Sequence, residues 1–453
     1  MFSIQKNLNY FRLNLRHKKF ISKYKKIKKN QYLSIEDIKI QQLNSLNKLL
    51  THAYNHIPYY HQILNEINII KNNEVFLKSL DEITKLPILT KNILLEEKEN
   101  LYSDDIANRE SFKNTTGGST GEPISFMQDK NYALDNKVNT QLALFWRGFE
   151  LYDDMVVIWG AERDTFEGKK PLKSALKDFI QNKLVLNSFN MSEEDMRAYI
   201  KILNRGQPQL IKVYAQSIYE IAKFAKKNNI EVKKQKAIHL AAGTVYDFMR
   251  DTIEEVFQCK AYNHYGSREI GSIASECKSQ DGLHIMVEQT FVEVLREDGT
   301  PCEYGEEGEL YITTLNNYSM PLIRYKIGDM GILMQNTNCL CGCNYPKLEK
   351  VTGRVTDVFK TKEGSIVAAE YFIHLIGVVL NQGNIKNFQV VQKSLNKVVI
   401  KIVKIGNIKQ NNINEIAEKV KLVMGKSCKV EFEFLESISQ NKTGKYRYTI
   451  SEI

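Results

Sequence analysis

Hydrophobic and polar residues alternate with two different periods along the chain, and each period predicts a different kind of element. From residue 31 to about 110, apolar side chains recur at steps of three and four residues, as at Leu43, Leu46 and Leu50, which predicts mostly helical structure. From 112 to about 350, short apolar runs of strand length alternate with helical stretches. That alternation is typical of parallel α/β layers.

The individual elements follow from these runs. Strands are predicted at Met155–Trp159, Leu210–Val213 and Ala237–Leu240, with helices between them at Glu193–Leu203 and Ser217–Lys227. Antiparallel strands are predicted within 283–296, 308–315 and 322–333, and a strand, a helix and a strand follow at Val398–Val403, Ile413–Met424 and Lys429–Leu435. We therefore expect an α/β protein with a large layered N-terminal domain of mixed sheets and helices and a small α+β C-terminal domain.

The 453 residues divide accordingly into four segments: a basic amphipathic tail at 1–30, the helical N-terminal part of the large domain at 31–110, its core at 111–353 and the small domain at 354–453. The net charge of +10 arises in the tail, which carries ten Lys or Arg and no acidic residue, whereas the remainder carries 53 residues of each sign. Because the body is neutral, the composition argues against a nucleic-acid partner.

The basic tail has two interpretations. Its apolar residues at helical spacing, such as Ile4, Leu8 and Leu15, would suit a helix lying on an anionic membrane surface. They would equally suit a helix packed on its own domain with a solvated basic face. The second interpretation is favoured, because the apolar stripe is irregular and breaks at Leu13.

The composition also predicts where in the cell the protein is located. The longest apolar runs, such as Ile376–Leu380, fall far short of the roughly 18 residues that a membrane-spanning helix needs. The first residues have no apolar core before a cleavage site, so we expect no signal peptide. The seven cysteines are an odd number, which favours reduced thiols. We expect a cytoplasmic protein, with the tail as its one candidate contact with the inner face of the membrane.

The sharpest local signal is the run Asn114–Pro123, of sequence NTTGGSTGEP. Its three glycines leave backbone amides free to surround an anion, and its four hydroxyls add donors. No lysine follows the last glycine, so the run is not a nucleotide-binding loop of the G-x-x-x-x-G-K-[ST] kind. By itself it could equally be a flexible surface turn.

Four further motifs follow this loop along the chain, at Tyr265–Glu269, Leu322–Asp329, Gly353–Asp357 and Lys442–Arg447. Together the five blocks resemble those of the adenylate-forming superfamily, which includes acyl-CoA synthetases. The runs Ala53–Tyr60, Leu86–Lys91, Tyr262–Cys277 and Cys339–Gly342 resemble the phenylacetate–CoA ligase-like branch and, within it, capsular polysaccharide biosynthesis proteins of the CapK type. The resemblance spans residues 50 to 447 and excludes the tail.

The resemblance implies an enzyme that joins a carboxylic acid to the α-phosphate of ATP with Mg²⁺, forming an acyl-adenylate and releasing pyrophosphate. It implies phosphate binding by Thr115, Thr116, Gly117, Gly118, Ser119, Thr120 and Gly121, an adenine contact by Tyr265, ribose contacts by Asp329 and Arg354, a Mg²⁺ ligand in Glu269 and a catalytic Lys445. Outside this context, Asp329 could simply cap a turn after Gly328, and Glu269 could be a surface helix charge.

The resemblance also implies a second half-reaction and a mobile, lid-like C-terminal domain. The acyl group would pass to the thiol of CoA or to an amine, such as an amino sugar or amino acid. The sequence does not identify the acid. The pocket positions that the resemblance implies are Tyr214, Ser217, Ala241, Ala242, Gly243 and His264. Thr244 and Thr356 depart from the residues usual at their positions, which weakens the implied acyl pocket and hinge. A membrane-peripheral scaffold with an inactive fold is the alternative function.

Four of the candidate ligands have the chemistry of a structural zinc site: Cys277, His284, Cys339 and Cys341. Three thiolates and one imidazole complete a closed tetrahedron around Zn²⁺, with no open position for catalysis. Relatives of the branch look similar at these positions. Cys343 could replace one ligand, because the C-x-C-x-C run offers three thiols, and buried inert cysteines are the alternative.

Overall fold

The structure is a computed structural model. It describes residues 18–67, 69–115, 125–160, 182–188, 190–241, 243, 245–335, 338–352, 359–364, 366–367, 369–376, 384–406, 408, 410–438 and 448–453.

The α-helices of the described residues are α1 (Lys18–Asn30), α2 (Ile35–His56), α3 (Pro58–Ile67), α4 (Lys91–Glu97), α5 (Lys130–Phe145), α6 (Glu193–Gly206), α7 (Ala215–Lys227), α8 (Asp247–Phe257), α9 (Ala369–His374) and α10 (Gln410–Met424). None of them is long and apolar enough to cross a bilayer.

The strands are β1 (Ile70–Lys71), β2 (Glu74–Val75), β3 (Ser111–Thr115), β4 (Ser125–Asp129), β5 (Met155–Ile158), β6 (Lys183–Leu186), β7 (Asn190–Met191), β8 (Leu210–Tyr214), β9 (Ala237–Ala241), β10 (Lys260–Ser267) and β11 (Gly271–Glu276). They continue with β12 (Leu283–Ile285), β13 (Thr290–Leu295), β14 (Glu307–Thr314), β15 (Tyr325–Leu333), β16 (Lys347–Thr352), β17 (Phe359–Lys360), β18 (Ile366–Val367), β19 (Ile385–Ser394), β20 (Lys397–Lys404), β21 (Lys429–Leu435) and β22 (Thr449–Ser451).

The large domain is built on an eleven-stranded sheet of order β13-β14-β15-β16-β12-β11-β10-β9-β8-β5-β6. Strands β5, β6, β8, β9 and β10 run parallel, whereas β10 pairs antiparallel with β11. The sheet therefore changes from parallel to antiparallel at β10. Ligands of α/β sheets bind beyond the carboxyl ends of parallel strands, which places the region around the end of β10 first among candidate sites.

Helices cover both faces of the parallel strands, as the alternation of buried residues requires. On one face, Ile211 and Ile238 pack with side chains of α7 and α8, including Ile218 and Ile253. On the other face, alternate strand residues, including Tyr262, pack with Leu144 of α5 and with nearby residues. The capping box formed by Ser192 and Asp195 begins α6 where the sequence predicts that helix.

Helix α1 packs on α5 and buries Ile21, Tyr24 and Ile27. Its basic face is tied to the same helix, since Lys23 forms an ion pair with Asp135. For residues 18–30 this is the packed alternative of the two interpretations of the tail. Residues 1–17, with the stripe from Ile4 to Leu15, lie outside the described residues.

The small C-terminal domain has its own four-stranded sheet, of order β21-β20-β19-β22. Its core contains Phe388, Ile400, Ile416 and Val420, contributed by the sheet and by α10. The α/β class with a large sheet-and-helix domain and a separate small domain is therefore confirmed.

Two predicted stretches differ from the structure. The antiparallel stretch 283–296 is two strands, because β12 pairs with β11 and β16 whereas β13 pairs with β14. The region 31–110 is helical to Ile67, but residues 70–110 form short strands, one short α-helix and short segments of 3₁₀-helix. In that second part, apolar residues such as Leu77, Ile83 and Leu94 join the core of the large domain without a regular period.

Candidate functional site

Tyr265 and Asp329 meet at the end of the sheet, although 64 residues separate them in sequence. The Tyr265 hydroxyl donates a hydrogen bond to Asp329 Oδ2 at 2.8 Å. Asp329 lies inside β15 and is half-buried, so it is not the turn cap that its sequence alone allows. One carboxylate oxygen is thereby oriented by a phenol, beside the edge where the parallel strands end.

Glu269 lies in the turn that joins β10 to β11, not on a surface helix. The turn is held by Gln128 of β4, whose side-chain amide donates to the carbonyls of Arg268 at 3.2 Å and Glu269 at 3.1 Å. Arg268 in turn donates to the carbonyl of Thr115 at 3.3 Å. The base of the glycine-rich loop and the acidic turn are therefore fastened to one another.

The hairpin of β3 and β4 carries that loop, and its last pair is Thr115 with Ser125. Gly266 keeps the neighbouring turn narrow, because a Cβ at this position would stand 2.4 Å from the carbonyl oxygen of Gly271. Only glycine allows β10 and β11 to approach so closely. Thr115, Tyr265, Glu269 and Asp329 are thus brought to one edge of the sheet.

Several predicted residues lie outside the described residues, namely Thr116, Gly117, Gly118, Ser119, Thr120, Gly121, Ala242, Thr244, Arg354, Thr356 and Lys445. Their roles stay predictions.

Three of the predicted pocket residues form one row across the parallel strands. Tyr214, Ala241 and His264 are direct neighbours in the registers of β8, β9 and β10. Tyr214 is buried and stacks on Trp159 with ring centroids 3.9 Å apart. Of the other two described positions, Ser217 is buried in the first turn of α7, and Gly243 is exposed with φ +96°.

A polar cluster that the sequence analysis missed surrounds this row. Arg147, which follows α5, donates to His239 Nδ1 and to the carbonyl of Asn263, the latter at 3.0 Å. It also donates to Ser275 Oγ, which lies 3.1 Å from His264 Nδ1. Burial and the charge of Arg147 hold the pKa values of His239 and His264 well below their usual range. Both imidazoles are therefore neutral at physiological pH.

Lys212 of β8 completes the cluster. It is the register neighbour of His239 and lies over the Trp159 ring, with Nζ 5.5 Å from the centroid. Burial, helped by Lys183 and Arg147, lowers its pKa to about 8. The sequence contains a signal for Lys212, because a charged residue stands at the centre of the apolar strand L-I-K-V-Y. Such positions normally face a core, where a lysine is unusual.

The four candidate metal ligands lie close together in the structure. One ligand atom from each of Cys277, His284, Cys339 and Cys341 lies within 4.8 Å of all the others. The sulfurs of Cys277 and Cys339 are 3.4 Å apart, and Cys341 Sγ is 3.4 Å from His284 Nε2. Cys343 is buried but does not belong to this cluster.

The surroundings of the cluster suit a metal. His284 Nδ1 lies 3.2 Å from the carbonyl of Tyr345, so Nδ1 carries the proton and Nε2 is free to ligate. Backbone N–H groups of Ser279 and Cys343 each donate to a ligand sulfur at 3.4 Å, which stabilises thiolates. Three soft thiolates and an imidazole with these donors fit Zn²⁺.

The chain resembles proteins of one group in both sequence and fold. Residues 359–452 match a family model described as the CapK C-terminal domain. Protein CapK of Staphylococcus aureus is 28% identical over 440 residues, which cover 92% of each chain. A phenylacetate-coenzyme A ligase of Thermus thermophilus is 24% identical over 335 residues, covering 71% of this chain and 72% of the relative.

Among solved structures, that of 2-hydroxyisobutyryl-CoA ligase with 2-HIB-AMP and CoA aligns with a TM-score of 0.60 at 18% identity, covering 93% of this chain and 91% of that one. The chain therefore shares the fold of 2-hydroxyisobutyryl-CoA ligase. In sequence, the chain is similar to CapK over 92% of its length and to phenylacetate-coenzyme A ligases over about 71%.

Proposed function

We propose that this chain is an ATP-dependent ligase that activates a carboxylic acid as its acyl-adenylate. The observation that carries the proposal is the Tyr265–Asp329 pair at the edge where Gln128 fastens the Glu269 turn beside the glycine-rich hairpin. The proposal assigns Asp329 to the ribose hydroxyls, Glu269 to a cation and the loop that begins at Thr115 to the phosphates. CapK and the phenylacetate–coenzyme A ligases, which share the sequence pattern, support it.

In the first half-reaction a substrate carboxylate oxygen bonds to the α-phosphorus of ATP, and the bond from that phosphorus to the bridging oxygen of pyrophosphate breaks. Asp329, oriented by Tyr265, would accept hydrogen bonds from the ribose hydroxyls, with Arg354 as a further donor there. The loop that begins at Thr115 would hold the leaving phosphates, and Glu269 would ligate Mg²⁺. Lys445 would supply positive charge to the oxygens around the phosphorus.

In the second half-reaction the acceptor attacks the acyl carbon, and AMP leaves with the electron pair of the acyl–phosphate bond. We propose the CoA thiol as acceptor, since phenylacetate–coenzyme A ligases are among the relatives. An amine is the alternative, and the CapK relative motivates a role in capsule or surface polysaccharide synthesis. Zn²⁺ at the Cys277 cluster would be structural, because four protein ligands close its coordination.

The test is ATP–pyrophosphate exchange with a panel of carboxylic acids, without any acceptor. Exchange that depends on one acid supports adenylation and identifies the donor, and adding CoA or amines then identifies the acceptor. Asp329→Asn should lower the exchange rate at least tenfold, whereas the matched control Asp251→Asn, on the exposed side of α8, should leave it unchanged. Equal exchange by both variants would overturn the role of Asp329.

The alternative of a membrane-peripheral scaffold predicts ATP binding without exchange for any acid. It also predicts flotation of the chain with anionic vesicles. Because α1 packs on α5, removing residues 1–30 would uncover a core face. The better variant reverses the charges of Lys25, Lys26 and Lys29, which are exposed. Flotation that is unchanged by this reversal would exclude α1 as the membrane contact.

A further inference from the structure

Two side chains on one face of the parallel strands, Lys212 and His239, could bind an anion, and neither is paired with an acidic side chain among the described residues. Lys212 and His239 are register neighbours on β8 and β9, and their face is the one that packs toward α5. Lys212 is half-buried and forms no ion pair among the described residues. Its charged neighbours, Lys183 and Arg147, are also basic.

Glu276, the carboxylate whose charge acts on the neighbouring Arg147, already pairs with another residue. Arg250 donates to both of its oxygens, at 2.8 and 2.9 Å, and the backbone N–H of Asn263 donates to it at 2.6 Å. Arg147 reaches only the backbone carbonyl of Glu276, at 3.4 Å. Within the described residues, no acidic side chain therefore neutralises Lys212.

His239 supplies a second unsatisfied group. Its Nδ1 accepts from Arg147, so in the neutral ring Nε2 carries the proton. That Nε2 is buried and has no hydrogen-bond partner within the described part of the chain. A buried donor without an acceptor costs free energy, and beside Lys212 it is suited to the same acceptor: an anionic oxygen.

We infer that the Lys212–His239 pair is a subsite for a second anionic group on the acid that this protein adenylates. The inference rests on the proposed function and specifies its substrate class. The pair lies two residues before the Tyr214–Ala241 row along each strand, which is roughly 7 Å toward the amino ends of the strands. The activated carboxylate would lie on the other side of that row, near Tyr265. The substrate is therefore a dianionic acid whose two groups are separated by a spacer of several atoms.

The second group can be a carboxylate or a phosphonate, because both present anionic oxygens to an ammonium and an N–H donor. The test is pyrophosphate exchange by the full chain with α,ω-dicarboxylic acids of increasing length and with ω-phosphono carboxylic acids of the same lengths. The control for each dicarboxylic acid is its monomethyl ester, and the control for each phosphono acid is its dimethyl phosphonate ester, so that only the carboxylate to be activated stays charged. Simple aryl and aliphatic monocarboxylic acids complete the panel. We expect kcat/KM for a dianionic acid to exceed that for its ester by about tenfold or more.

Lys212→Met should remove this preference by lowering the rate with the dianion and not with the ester. The matched control is Lys201→Met, an exposed lysine of α6, which should keep the preference of the unmodified chain. Melting curves show whether Lys212→Met is folded, and replacing an unpaired, partly buried charge by an apolar side chain is compatible with folding.

The outcomes separate the two proposals. Exchange with monocarboxylic acids only, or a preference that Lys212→Met leaves unchanged, overturns the second-anion subsite and keeps the ligase function. Exchange with no acid at all, while ATP still binds, overturns both. A phosphonate preferred over the dicarboxylate of the same length assigns the subsite to phosphate-bearing acids, and the reverse order assigns it to dicarboxylic acids.

Discussion

Arg324 and Glu293 form an ion pair that is buried inside the large domain, with side-chain exposures of 5% and 7%. Two nitrogens of the guanidinium donate to the carboxylate at 2.9 to 3.2 Å, and a third donates to the carbonyl of Leu86 at 2.6 Å. The Arg324 carbonyl accepts from Leu89. The pair thus joins the Leu86–Lys91 motif to the start of β15, the strand that carries Asp329.

We predict that Arg324→Met lowers the free energy of unfolding of the large domain by about 3–5 kcal/mol, because it leaves the Glu293 carboxylate buried without its partner. Replacing Glu293 by Met as well should restore much of the loss. The surface pair of Arg296 and Glu306 is the control, and Arg296→Met should cost at most about 1 kcal/mol. Urea unfolding measures all three, and equal losses for Arg324→Met and Arg296→Met would contradict the prediction.

Tyr265→Phe tests the pair that orients Asp329. Losing one hydrogen bond to a carboxylate should raise the KM for ATP about tenfold, while kcat changes less because the hydroxyl does not touch the reacting phosphorus. Tyr32→Phe, at a tyrosine that is 55% exposed, is the control. Exchange kinetics at varied ATP provide the measurement, and an unchanged KM for ATP in Tyr265→Phe would count against this role of Asp329.

The pH dependence of substrate selection follows from Lys212. Its pKa lies at about 8, below the ordinary lysine value, so its amine is charged below that pH and neutral above it. His239 and His264 are neutral throughout this range, and Arg147, with a pKa of about 10, stays charged until higher pH. We therefore expect kcat/KM for a dianionic acid to fall as the pH rises through 8.

The same titration has the opposite effect on stability. Between pH 8 and the ordinary lysine pKa, the unfolded chain binds the proton that folded Lys212 has lost, so its contribution to stability rises with pH. Lys212→Met should remove both effects. A pH profile of the unmodified chain that matches that of Lys212→Met across this range would show that Lys212 does not titrate in the pocket.

The cysteine–histidine cluster predicts one zinc ion per chain. Elemental analysis of the protein purified without chelators should find it, and Cys339→Ser should abolish it and lower the melting temperature. Cys302→Ser is the control, since that half-buried cysteine lies outside the cluster. Full zinc content in Cys339→Ser would mean that the metal is held elsewhere, and no zinc in the unmodified chain would favour inert thiols.

The sequence by itself was sufficient for the fold class and for most strands and helices of the α/β layers. Strand and helix periods are local properties of the chain, and Tyr265, Glu269 and Asp329 stand within recognisable runs. The set of Cys277, His284, Cys339 and Cys341 was also predicted by residue type. Local signals were enough for the fold class and its elements, whereas the roles of these site residues stay predictions.

Tertiary structure decided whatever depends on residues distant in sequence. Cys341 lies in the cluster and Cys343 does not, because only the folded loop determines which sulfur faces His284. Arg147 meets His239 across 92 residues, and α1 is a packed helix because α5 offers it an apolar face. The strand pattern predicts that the positions of Lys212 and His239 face a core. Only the register of β8 and β9 shows that the two polar side chains are neighbours.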